Sequence, residues 1–190
     1  PGNFITALKV FCNCERIVTV LTHTYVQTFN TEVEKDIVEH NVAALCGSWW
    51  DTYYCTDGSP SGYKVYTHKD GRLEWYYKPI GKDKDYQVEF YMPGETSLNP
   101  DCIVANVWDW DSEWKVEWFE DGKAMGVLEP VFDLSPNYIK DIDAAFQGKK
   151  IPGYKLPRLN WHYFSAVPGK DAQNVKVVVT GRFGQKWEYE

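Results

Sequence analysis

The residues able to do chemistry are few and scattered along the chain. His23 follows an apolar β-branched run, and His40 precedes another apolar run. An isolated imidazole usually makes ordinary hydrogen bonds, although His40 also has the chemistry to contact a substrate phosphate. Asp109 and Asp111 read Asp-Trp-Asp at the entry to a turn. A calcium ion takes six or more oxygens, so two carboxylates alone do not make such a site. The five cysteines are Cys12, Cys14, Cys46, Cys55 and Cys102, an odd number that forbids complete internal pairing. Cys12 and Cys14 are one residue apart, closer than zinc-ligand pairs, and read as buried small apolar groups. Cys46 and Cys55 flank a short aromatic loop, where a disulfide would depend on geometry. No nucleophile elbow, phosphate-binding glycine loop or dinucleotide fingerprint occurs, and no Ser/His/Asp set has a recognisable spacing.

Tryptophans are the other chemical resource. Trp49 and Trp50 lie in the loop GSWWDTYYCTDGSPSG, residues 47–62. Flat indole faces stack on sugars and bases, or pack beneath a loop as core. Trp114 and Trp118 alternate with charged neighbours and share a face with Val116, the pattern of a half-buried strand. That favours core over an exposed sugar platform. The same spacing of two places Trp108 and Trp110 on one face.

The elements that must carry these residues are mostly strands. Phe4, Ala7, Leu8 and Phe11 have helical spacing and predict a short helix over 4–14. RIVTVLT, residues 16–22, predicts a buried strand, and a polar stretch runs from Thr24 to Glu39. Strands at 63–68 and 72–78 flank Asp70-Gly71 and predict a β-hairpin. Residues 79–85 form a polar linker and the expected domain boundary. Beyond it, strands are expected at 86–92, 102–108, 113–119, 124–128, 160–167 and 174–181, with a last one within 182–190. Pro136 and Gly148 bracket an expected helix over 136–147.

Composition excludes some functions. The net charge is −7 and no basic stripe appears, so a nucleic-acid backbone is not an expected partner. No run approaches the roughly 20 apolar residues of a membrane span. The N-terminus carries neither an initiator Met nor signal-peptide features, so the chain is expected to be cut from something longer.

Five segments together carry a resemblance. EHNVAALCGSWW, then DGSPSGY, then the hairpin ending WYYK are similar to the end of Bacteroides-type calcineurin-like metallophosphoesterases. VANVWDWDSEWKVEWFEDG (104–122) and VKVVVTGRFGQKWEY (175–189) resemble the C-terminal domain of that family. The resemblance implies a mostly-β protein. Residues 1–80 would be a truncated α/β phosphoesterase segment, and 83–190 an Ig-like β-sandwich C-terminal domain.

The parent family hydrolyses phosphate esters with two divalent metals held by Asp, His and Asn. Most of those ligands come from upstream motifs of the form Asp-x-His, Gly-Asp-x-x-Asp and Gly-Asn-His, which do not occur here. The last motif, Gly-His-x-His, falls on Thr22-His23-Thr24-Tyr25. His23 matches its first histidine, while Tyr25 puts a poor phenol ligand where the second belongs. His23 is therefore a vestigial metal ligand, useful only when the remaining site is supplied, and no cofactor is expected in this chain. The departure fits a degenerate homologue, and the missing start fits a truncated piece.

The resemblance also implies substrate contacts by His40, Trp49, Trp50 and Asp57, and more weakly by Gly58, Ser59 and Pro60. The implied partner is the catalytic phosphoesterase portion, or a second copy of the chain. The implied location is the periplasm or cell surface. The leading expectation is a non-catalytic accessory part. The alternative is a sandwich that holds a glycan or a protein through exposed aromatics, and an enzyme of another kind ranks third.

Overall fold

In the computed structural model the described residues are 6–12, 15–21, 29–34, 37–48 and 50–190. The first four strands are β1 (Thr6–Cys12), β2 (Glu15–Leu21), β3 (Phe29–Glu34) and β4 (Ile37–Asn41). They form one sheet in the order β1-β2-β4-β3, in which only β2 and β4 run parallel. The helix expected over 4–14 is thus replaced, across Thr6–Cys12, by a strand antiparallel to β2. The segment holds valine and phenylalanine as well as helically spaced apolar residues. Pairing with β-branched β2 decides a choice that periodicity left ambiguous. β3 and β4 lie in and just beyond the polar stretch, where charged residues hid the strand signal.

β5 (Gly62–Lys69) and β6 (Arg72–Pro79) make the expected hairpin. Its turn residues Asp70 and Gly71 both have positive φ, the geometry that matches strand twist. The sandwich follows. β7 (Val88–Tyr91), β8 (Ile103–Val107), β9 (Lys115–Glu120), β10 (Lys123–Val127) and β11 (Glu129–Asp133) precede helix α1 (Pro136–Phe146). β12 (Asn160–Ala166), β13 (Val175–Thr180) and β14 (Lys186–Tyr189) come after it. One antiparallel sheet is ordered β10-β9-β13-β14 and the other β11-β12-β8-β7. Their facing sides share one core. Val88, Ile103, Ala105, Val107 and Phe164 from one sheet meet Val116, Trp118, Val175, Val177 and Val179 from the other. Burying each such side chain is worth about 1.5–3 kcal/mol, so this core is what holds the sandwich closed.

β11 escaped the sequence reading because it contains Pro130. A proline has no N–H for a ladder, and β11 tolerates one because it is an edge strand. α1 starts with Ser135, whose Oγ accepts from Tyr138 N at 3.1 Å, and ends at left-handed Gln147. No helix among the described residues is long and apolar enough to cross a membrane.

A third layer covers the outer face of the second sheet. Every residue of β8 is buried, so both of its faces are packed. Tyr91, Val104 and Tyr163 form the outer cluster. Residues 54–59 and α1 lie over it. Tyr163 donates its hydroxyl to Asp57 O at 3.0 Å, and Tyr138 donates to Lys155 O at 2.7 Å. The disulfide left open between Cys46 and Cys55 does not form, because both thiols are free and face different carbonyls, Gly47 O and Ala44 O.

Candidate functional site

The loop ahead of β5 folds on itself before it touches anything else. Cys55 N donates to Ser59 O at 2.8 Å, and Gly58 N donates to Cys55 O at 2.9 Å. Asp57 caps the turn, accepting from Ser59 N at 3.0 Å and from Ser59 Oγ at 3.1 Å. The loop then locks onto the sandwich. Asn160 Nδ2 donates to Asp57 Oδ2 at 3.2 Å, and Asn106 Nδ2 donates to Gly58 O at 3.1 Å. His162 Nδ1 lies 2.7 Å from Asn106 Oδ1. Its Nε2 lies 3.5 Å from Asp57 Oδ2, without hydrogen-bond alignment. An acid, an imidazole and a hydroxyl thus come together, all of them buried. Ser59 Oγ points at the Asp57 carboxylate and not at the imidazole, so the hydroxyl and the imidazole are not arranged as a Ser–His nucleophile pair.

Glu89, on β7, forms a second polar knot. Its Oε1 accepts from Tyr54 Oη at 2.5 Å and from Tyr86 Oη, and its Oε2 accepts from Tyr91 Oη at 2.6 Å. Burial and the neighbouring carboxylate push all three phenols above their ordinary pKa. They stay protonated and act as donors.

A third knot joins β4, the hairpin, the turn after β8 and the turn after β13. Lys64 Nζ meets Asp109 Oδ1 at 2.6 Å with both side chains almost fully buried. Arg182 Nε donates to Asp111 Oδ2 at 2.8 Å and its guanidinium sits over the Trp75 ring. Two cations and two carboxylates therefore balance. His40 lies against them. Its Nδ1 is 3.4 Å from Lys64 Nζ and 3.2 Å from Tyr66 Oη, and its ring meets Trp75 edge-on at 4.5 Å. Burial, then Lys64 and Arg182, hold the His40 pKa down at about 3, so the ring is neutral. Burial lowers the Lys64 pKa and raises that of Asp109, against their mutual attraction.

Beside this knot lies a small, partly open depression, with room for about one water molecule, between Trp75, Trp114, Arg182, Phe183, Gln185 and Trp187. Trp114 stacks on Trp187 at 5.4 Å. Trp108 and Trp110 do not share a face as their spacing suggested. Trp108 packs with Val42, Cys55 and Tyr77, while Trp110 packs on the sandwich core. The intervening Asp109 has φ +63°, which breaks the alternation.

The expected site residues end in different places. His23 and Trp49 lie outside the described residues. His40 and Asp57 are buried in separate knots, as are Gly58, Ser59 and Pro60 beside Asp57. Trp50 is 83% exposed and has φ +69°, an uncommon backbone for an aromatic residue. Lys64, Glu89, Asn106, His162 and Arg182 were not foreseen. The one available signal was polar side chains inside otherwise apolar β runs, as at Asn106 and His162. Among the described residues no group of three or more His, Cys, Asp or Glu is arranged to hold a metal ion. The donors among the described residues do not fit a two-metal centre.

A family model described as the C terminal of calcineurin-like phosphoesterase matches residues 39–187. No curated protein and no solved structure matches the chain.

Proposed function

Since the chain belongs to the family of C-terminal domains of calcineurin-like phosphoesterases, we propose that it serves as the accessory part of such an enzyme and does not itself turn over substrate. The observation that carries this reading is where the reactive side chains go. Asp57, Lys64, Asp109 and Glu89 have buried side chains, and each is engaged in tying a loop or hairpin to the sandwich. Side chains committed to such ties are not free to meet a substrate in solution.

Hydrolysis then belongs to the phosphoesterase portion with which this domain goes. There a pair of divalent metals would generate the attacking hydroxide and clamp the phosphoryl oxygens. The family match favours that portion over a second copy of this chain as the partner. Trp50, exposed on the loop that opens the matched region, is the group best placed to contact it or its substrate. A periplasmic or cell-surface location goes with this reading.

The test is a phosphatase assay on the purified chain with p-nitrophenyl phosphate and added Mn²⁺. No turnover above the metal blank is expected. Metal-dependent turnover that is lost on chelation would overturn the accessory role.

A further inference from the structure

We propose that Lys64 and Asp109 condense into an intramolecular amide, a self-formed cross-link that staples the β5–β6 hairpin to the turn following β8. The geometry comes first. Lys64 Nζ is 2.6 Å from Asp109 Oδ1, so the nitrogen and the carboxyl group it would acylate are already in direct contact. Both side chains are held on paired or tightly turned backbone. Lys64 lies in the β5 ladder opposite Tyr77. Asp109 has φ +63° between two packed tryptophans. Reactants held this way gain the proximity advantage of an intramolecular step.

The surroundings favour the reactive protonation states. Both side chains are nearly inaccessible to water, and a dry site disfavours an ammonium and a carboxylate alike. The pKa directions of the two groups agree with this. A proton passing from Lys64 to Asp109 leaves an amine beside a carboxylic acid. With its proton on Nε2, the neutral His40 ring presents Nδ1, 3.4 Å from Nζ, as an acceptor for one amine N–H.

The lone pair of Nζ then attacks Cγ of Asp109. The C–OH bond breaks, and the hydroxyl departs with the proton shed by nitrogen as one water. The product is a secondary amide, and no oxidant, reductant or cofactor is consumed. A buried ion pair is costly to desolvate, and the amide removes both charges. Arg182 and Asp111 remain as a balanced pair beside it.

Intact-mass spectrometry of the full chain, purified folded and then denatured, decides the matter. The expected mass is one water below that of the sequence. A tryptic digest should show no cleavage at Lys64 and a branched peptide joining it to the segment with Asp109. Lys64→Arg and Asp109→Ala should each restore the full mass. A wild-type chain at full sequence mass overturns the proposal even if neither variant folds. So does a water loss that maps elsewhere, for example to a succinimide at Asp57-Gly58, Asp70-Gly71 or Asp121-Gly122. None of these outcomes bears on the accessory role.

Discussion

Gly58 shows how a single residue can fix the third layer to the sandwich. Its φ is +85°, and a Cβ there would sit 2.5 Å from Ser135 Cβ and inside contact distance of the Tyr163 hydroxyl. Gly58→Ala combines backbone strain with a clash against two buried neighbours, so a loss of about 2–4 kcal/mol is expected in urea unfolding. A loss below about 0.5 kcal/mol would show that the loop simply lifts away. The Asp-Gly turn was legible in the residues, but the direction of the Asp57 carboxylate was not. Turn chemistry fixes φ and ψ, whereas only the fold shows that Asn160 and His162 wait on the inner side.

His40 makes a second prediction at this scale. Burial, the largest cause and one that an amide at Lys64 leaves in place, holds its folded pKa at about 3, against 6.5 for the ordinary imidazole. The unfolded chain therefore takes up a proton below pH 6.5 while the folded chain does not. The contribution is fully present above that pH. It declines by about 1.4 kcal/mol per unit as pH falls toward 3. Urea midpoints at pH 7 and pH 5 should show wild type losing about 2 kcal/mol more than His40→Gln. Equal acid losses in the two proteins would refute this.

Glu89 connects elements. One carboxylate accepts hydroxyls from the loop before β5 (Tyr54), from the approach to β7 (Tyr86) and from β7 itself (Tyr91). Glu89→Leu would strand three phenols at a largely buried site and should cost about 2–4 kcal/mol, with Glu89→Gln costing less than half as much. A near-neutral Leu variant would mean that the phenols find other acceptors. Elements were legible in proportion to their local signal. The Asp70-Gly71 hairpin and α1 follow from turn and cap chemistry, and the structure has them as expected. β1 was misjudged because its apolar spacing also fits a helix, and β11 was missed because edge position excuses its proline. Neither partner strand is visible from inside those segments.

For the whole molecule, the two-sheet sandwich could be anticipated from strand spacing, but its covering layer could not. That layer depends on contacts between residues about 50 to 100 positions apart, such as Asn106 with Gly58 and Tyr163 with Asp57. The accessory role makes its own prediction at this scale. Trp50 is exposed, so Trp50→Ala should change the chain's stability by less than about 0.5 kcal/mol. In an assembly with the phosphoesterase portion the same variant should lower kcat/KM by about 10-fold, an amount ordinary for a buried interface anchor. An unchanged kcat/KM would remove Trp50 from that contact.

The unpaired cysteine in the middle of the covering layer has a practical use. Cys55 is buried, and burial pushes its thiol well above the ordinary range, so it offers almost no thiolate to an alkylating reagent. Modification of that sulfur then waits on the loop swinging open, and its rate at limiting reagent becomes a clock for that local excursion. The native chain carries this reporter without any added dye or engineered label.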